Sequence, residues 1–190
     1  MLIINFHPFQ NLETERLLLR RIDKNDVDEV LALRGNPEIM KYIPRPLAKT
    51  KEDALEHIAM IEEKIVSNTG INWGITIKGN HKIIGIIGHY RISPENHRAE
   101  IGYMSLTEFN GKGYVTEAIK AVVAYGFEQM NLHSIEAVID PENSASERVL
   151  QKNGFIKEAH ILENELWEEK FWDTVIYSLL RRNFKKVIIY

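Results

Sequence analysis

Residues 106–118 read Leu-Thr-Glu-Phe-Asn-Gly-Lys-Gly-Tyr-Val-Thr-Glu-Ala, a two-glycine loop that runs directly into a periodic segment. Beyond Val115, apolar or small residues return at Ala118, Ile119, Val122, Val123, Gly126, Phe127 and Met130. This i, i+3, i+4, i+7 spacing predicts a helix with one face in the core. Gly111 and Gly113 at its mouth let the backbone approach a ligand closely. The N–H groups of Gly111, Lys112, Gly113, Tyr114, Val115 and Thr116 would then point outward, where the helix dipole is positive. The first expectation is an anion site for a phosphate-bearing ligand. The plain alternative is a tight turn before a helix.

Three phosphate motifs compete for this loop. A P-loop requires GxxxxGK[ST], and no Lys-Ser or Lys-Thr follows a second glycine at that spacing. The dinucleotide fingerprint GxGxxG fits Gly111 and Gly113 but meets Thr116 where its third glycine or alanine belongs. The third motif, Q/R-x-x-G-x-G/A, is the pyrophosphate loop of the GNAT N-acetyltransferases, and the chain resembles it, with Glu108 in place of the first Gln or Arg. The resemblance runs through nearly the whole chain and is to the branch that holds the ribosomal-protein-alanine N-acetyltransferases. Thr14-Glu-Arg-Leu-Leu-Leu-Arg20 resembles the opening strand of that branch, and Ala99-Glu-Ile-Gly-Tyr103 its fourth strand. Asn143-x-x-Ser146 followed by Gly154-Phe155 resembles its pantetheine-side motif, and Asp173-x-x-x-Tyr-Ser-Leu179 its last strand.

The resemblance implies an α/β (α+β) GNAT fold. Its mixed, mostly antiparallel central sheet, of about seven strands, would be splayed in the middle and flanked by helices, as one domain over residues 1–190. It implies acetyl-CoA as co-substrate and a primary amine as acceptor, foremost the N-terminal α-amine of a ribosomal protein. Polyamines, antibiotics and amino acids stay open as acceptors, because fold and cofactor site do not set the acceptor. A CoA- or nucleotide-binding module without catalysis is the rival from another class. A homodimer is left open.

Composition narrows the mechanism. The chain has 190 residues, of which 44% are hydrophobic, enough for a substantial core. It has no cysteine, which excludes disulfides and an acetyl-cysteine enzyme intermediate, so direct transfer in a ternary complex is expected. No stretch approaches the ~18–20 apolar residues of a membrane span, and the first residues lack the pattern of a signal peptide. The expectation is a cytoplasmic protein with no membrane partner. A formal charge of −3 argues against a broad nucleic-acid surface. Seven histidines lack HxxxH or HExxH spacing, so no metal site is expected.

Strands are predicted over Thr14–Ile22, Asn72–Lys78, Lys82–Ile92, Arg98–Leu106, Ser134–Ile139, Phe155–Leu162 and Phe171–Leu180, with a hairpin turn at Gly79-Asn80 and an acidic loop joining the last two. Helices are predicted over Asn25–Arg34 behind an Asp23 cap, over Lys51–Ser67, and over Ser144–Asn153. Ser144-x-x-Glu147 reads as a capping box and Gly154 as a left-handed C-terminal cap. If Ser144 caps, Asn143 is free to face a cofactor; otherwise it is a turn residue after Pro141.

Amine acetylation needs a neutral amine, stabilisation of the thioester oxygen and a proton for the leaving thiolate. The resemblance places Glu100 on the strand that frames the cofactor and makes it the candidate base; a structural glutamate in an alternating strand is the alternative. Gly102 would suit a bulge in that strand. Backbone groups of Met104, Ser105 and Leu106 would bind the pantetheine amides. Ser146 matches the position whose hydroxyl lies near the cofactor sulfur, a candidate proton donor or else an ordinary first-turn serine. Lys112 would add charge near the phosphates or remain solvated. The resemblance places the acceptor pocket at Asn36–Pro46 and the Leu162–Lys170 loop, where Glu163, Glu165, Glu168 and Glu169 either attract a cationic amine or are simply solvated.

Overall fold

The computed structural model describes residues 1–184; the last six residues of the expected 1–190 domain lie outside them. Eight strands form one sheet: β1 (Leu12–Glu13), β2 (Leu17–Arg20), β3 (Ile71–Ile77), β4 (Ile83–Ser93), β5 (Arg98–Ser105), β6 (Ser134–Ile139), β7 (Ile156–Trp167) and β8 (Lys170–Leu180). Their spatial order is β1-β2-β3-β4-β5-β6-β8-β7. Every neighbouring pair is antiparallel except β5 and β6. The strand beyond the expected seven is the two-residue β1, too short to leave a period in the sequence.

The five helices are α1 (Val27–Arg34), α2 (Pro37–Met40), α3 (Lys51–Val66), α4 (Tyr114–Glu128) and α5 (Ser144–Lys152). Asp23 caps the turn before α1 and Thr50 caps α3, both with reciprocal capping boxes. The two faces of the sheet are covered differently. α4 packs on the face that carries His89, whose Nε2 lies 3.0 Å from the Val122 carbonyl, and buries the predicted stripe from Ala118 to Met130 together with Tyr125. α1 and α3 cover the opposite face beside Tyr90, over whose ring Lys64 of α3 places its ammonium. Between them β3 is buried almost throughout, and its Trp73 meets the ring of Tyr125 edge-on at 5.1 Å.

Two expected turns shift. The β3–β4 turn centres on Lys78-Gly79, one residue earlier than Gly79-Asn80: Asn80 donates to the Ile77 carbonyl at 2.8 Å and Gly79 takes φ +83°. The acidic loop expected over Leu162–Lys170 is mostly strand. β7 runs to Trp167, and the reversal is confined to Glu168 and Glu169, both left-handed. Charge on a hairpin wetted on both faces hides the alternation that announces a half-buried strand.

Candidate active site

The sheet opens in the middle. β5 and β6 pair only through Arg98–Ser134, Ala99–Ile135 and Glu100–Glu136, after which the strands part. Leu106 donates its N–H to the Ile84 carbonyl at 2.9 Å, and Met104 and Gly102 lie opposite Ile86 and Gly88. Antiparallel partners alternate between bonded and non-bonded pairs. The backbone groups of Met104 and Leu106 are therefore committed to β4, while those of Tyr103 and Ser105 face the opening. Of the three residues expected to offer backbone groups to a pantetheine, Ser105 remains and Met104 and Leu106 do not.

The glycine loop closes one end of this opening. Gly111 and Gly113 adopt φ +74° and +79°, a region that strains any residue with a Cβ. Gly113 occupies the N-cap of α4 without a side-chain cap. No described protein acceptor receives the N–H groups of residues 111–116, which leaves a cradle of donors suited to a pyrophosphate. Lys112 is exposed, with its ammonium 5.2 Å from the ring centre of Phe109. The loop is held from behind by Arg16, which donates to the Lys112 carbonyl at 3.0 Å, lies over the Tyr114 ring and pairs with Glu117. Burial alone would raise the Glu117 pKa. Hydrogen bonds from the Thr14 hydroxyl and from the Arg16 amide and guanidinium outweigh it and hold the carboxyl below its ordinary range. The sequence shows Thr14 and Arg16 only as strand residues; nothing local signals this clamp from about a hundred positions away.

The far side of the opening belongs to α5. Its N-cap is Asn143, not Ser144: the Asn143 Oδ1 accepts the Ser146 N–H at 3.0 Å. The expected Ser144–Glu147 box does not form, because Glu147 turns away to accept the Tyr177 hydroxyl at 2.6 Å. Asn143 is thus not free as expected; its carbonyl is used and only its amide N–H groups remain. Gly154 takes the left-handed cap position at φ +83°. The Tyr103 hydroxyl is buried without hydrogen-bond geometry to any group, yet lies close enough to Ser146 for that hydroxyl to offset part of the desolvation that pushes Tyr103 up to about 12. Tyr103 is a candidate site residue that the strand pattern alone does not single out.

Glu100 stands at the vertex, as the last β5 residue paired to β6. Its side chain is 16% exposed. Burial raises its pKa; Glu136 and Glu165 raise it further, and Arg91 and Arg45 oppose them. The Arg91 guanidinium lies 3.1 Å from Oε2, but off the axis of a hydrogen bond, so that oxygen has no donor. Arg91 reaches it because the irregularity in the β4–β5 ladder falls between Tyr90 and Ser93, where Arg91 takes φ +40°. The bulge expected at Gly102 is absent. Gly102 instead makes room for Tyr90, whose ring would lie 2.8 Å from an added Cβ. The same face carries Arg98, which ties β5 to Glu136 and Ser178 at 2.8 and 2.9 Å.

Elsewhere, an open depression of about 580 Å³ is lined by Arg20, Arg21, Asp26 and His81. Its two arginines are already paired, Arg20 with Asp26 and Arg21 with Glu62. Among the described residues, no group of three or more His, Cys, Asp or Glu is placed to hold a metal ion, and no helix is long and apolar enough to cross a membrane.

A splayed sheet with an amide cradle at the mouth of the opening defines the acetyl-CoA-dependent N-acetyltransferases. The chain belongs to the GNAT acetyltransferase family, whose acetyltransferase (GNAT) domain matches residues 16–156. It is 34% identical over 173 residues to the N-acetyltransferase YoaA of Bacillus subtilis strain 168, covering 91% of this chain and 98% of that one. A GNAT-family acetyltransferase of Bacillus anthracis superposes with a TM-score of 0.81 at 30% identity, covering 91% of this chain and 99% of that one. The ribosomal-protein-S5-alanine acetyltransferase of Vibrio fischeri shares the fold, with a TM-score of 0.80 at 24% identity over 93% of this chain and all of that one.

Proposed function

We propose that the chain, acting as one domain over residues 1–190, acetylates the N-terminal α-amine of a protein in the cytoplasm, foremost a ribosomal protein. The observation that carries this reading is Glu100: a largely buried carboxylate of raised pKa, one oxygen without a donor, at the point where β5 and β6 part. A peptide α-amine has a pKa of roughly 7.7–8.0, so a modest base suffices to free its lone pair.

In this reading the amides of residues 111–116 hold the pyrophosphate, with Lys112 adding charge at its edge. The pantetheine lies along Tyr103 and Ser105 and meets the amide N–H groups of Asn143. Acetyl-CoA supplies the activated acetyl group. Glu100 takes the proton of the incoming amine, a donor N–H of the β5 edge polarises the thioester oxygen, and Ser146 holds a proton near the sulfur. No cysteine exists to carry the acetyl group, which supports direct attack by the amine.

The test is mass spectrometry of an acceptor mixture incubated with acetyl-CoA: peptides with free Ala, Ser and Met N-termini, lysine peptides with blocked N-termini, spermidine and an aminoglycoside. Acetyl groups confined to free N-termini are expected. Acetylated spermidine or aminoglycoside with untouched peptides would overturn the reading.

A further inference from the structure

Resting on the amine-acceptor reading above, we infer that the acceptor carries a carboxylate close to its amine and that Arg34 receives it. Arg34 closes α1, on the sheet face that Glu100 shares. Its guanidinium is half-buried, yet its contacts are two long ones, to Met40 Sδ and the Pro46 carbonyl, each at 3.3 Å. A guanidinium has five N–H donors, so most of its capacity is unused. Among the described residues it has no carboxylate partner; Arg45, Arg148, Arg181 and Arg182 share that lack but are exposed, whereas Arg16, Arg20, Arg21, Arg91 and Arg98 each have a partner. Burial accordingly lowers its pKa, and nearby Arg45 lowers it further. His57 on α3, desolvated beside Arg34 and Lys64, is depressed to about 4 and is neutral, so it adds no further positive charge there.

A partly buried cation without a carboxylate is costly, and such groups cluster at functional sites. The neighbourhood is unfinished in the complementary sense as well. Tyr90 lies within electrostatic reach of both Arg34 and Glu100 and takes a hydrogen bond from Asn72 at 2.6 Å. The Asn72 Oδ1 is buried without a donor, and so is the Glu100 Oε2. One face thus offers a carboxylate oxygen that Arg91 meets as an ion pair without a hydrogen bond, and a guanidinium that no carboxylate meets, both within electrostatic reach of Tyr90. The ligand that completes both is a primary amine with an acid nearby: a peptide N-terminus with Asp or Glu at its second or third residue, or a free amino acid. A polyamine would leave Arg34 and Arg45 facing positive charge.

The experiment measures kcat and KM for otherwise identical peptides bearing Glu, Gln or Lys at position 2 or 3, alongside free amino acids and spermidine, with the wild type, Arg34→Gln and Arg34→Glu. The wild type is expected to prefer the Glu peptide over the Gln peptide by about tenfold or more, mostly through KM, the size of one charge-assisted hydrogen bond. Arg34→Gln should erase that preference while acetyl-CoA affinity and the thermal melting midpoint hold, which shows that the variant is folded. Arg34→Glu should favour the Lys peptide. Equal rates for all peptides in the wild type would overturn the assignment of Arg34 and leave the α-amine reading standing. A preference that survives Arg34→Gln would overturn it too. Acetylated free amino acids with untouched peptides, again dependent on Arg34, would uphold Arg34 and overturn the peptide reading.

Discussion

Arg16 and Glu117 stand 2.6 Å apart across the root of the glycine loop, joining the entry of β2 to the first turn of α4. Glu117 also accepts from Thr14 and from the Arg16 amide, and Arg16 reaches on to the Lys112 carbonyl. A carboxylate in the first turn of a helix interacts favourably with the dipole. Here it also fixes a loop whose donors all point the other way. The clamp pre-organises the anion cradle, so that less ordering is left for the moment of binding.

Glu117→Ala should therefore weaken folding and binding together. The residue is mostly buried (18% exposed) while Arg16 is 44% exposed, so the ion pair itself is screened. The larger loss is the acceptor for three donors, about 1–2 kcal/mol by urea denaturation. Acetyl-CoA affinity should fall with it. The pH dependence has a definite sign. The folded pKa is lowered from the ordinary 4.5, so the carboxylate's contribution is complete above that value and is lost as pH falls through the depressed folded pKa. Melting curves from pH 7 to pH 3 should converge for wild type and variant at the acid end.

Gly111→Glu should abolish acetyl-CoA binding measured by calorimetry. A Cβ at Gly111 meets nothing within 4 Å, so the defect is not a clash within the protein. It comes from a left-handed φ of +74° imposed on a side chain and from negative charge in an anion cradle. Normal affinity in this variant would remove the loop from the cofactor site.

Glu100→Gln should lower kcat/KM by about 10²–10⁴, the range for loss of a general base. Burial raises the Glu100 pKa above its ordinary 4.5, and the base works deprotonated. The acid limb of the wild-type profile should accordingly lie above that value, and the variant should lack it. Stability should move the other way. A raised folded pKa makes the stability linked to the proton complete below 4.5 and lost as pH rises through the folded pKa. Gln, which stays neutral, should melt no lower than wild type at pH 7. An unchanged pH–rate profile would take Glu100 out of the base role.

Tyr103→Phe and Ser146→Ala separate packing from chemistry beside the opening. The Tyr103 hydroxyl is buried without a partner, so Phe should be neutral or stabilising, by up to about 1 kcal/mol in a thermal melt. Ser146→Ala should leave acetyl-CoA affinity intact and lower kcat. A fall in affinity instead would make Ser146 a binding residue.

Periodicity over 118–130, the alternation in β5, and the two glycines before α4 were sufficient to place these elements and to raise the expectation of an anion cradle. All are short-range patterns that repeat with the period of the structure they form. The extension of β7 to Trp167 was illegible because an edge strand exposed on both faces has no reason to alternate. The cap of α5 was misassigned by one residue because Asn143 and Ser144 are equally good caps, and Glu147 was taken by Tyr177, thirty positions away in the chain. Gly102 was read as a bulge when its missing side chain is filled by a tyrosine from the next strand.

By itself the sequence determined the helix that follows the glycine loop, the two glycines that take positive φ there, and the lack of any thiol to carry an acetyl group. Only the tertiary structure decided which groups remain unused. Leu106 is committed to β4 while Ser105 is open, Asn143 caps a helix, Glu100 lacks a donor on one oxygen, and Arg34 lacks a carboxylate. Residue type fixes what a side chain can bond, but whether a partner is within 3 Å depends on the packing of elements far apart in the chain. The chemistry left over for substrate is therefore a property of the fold.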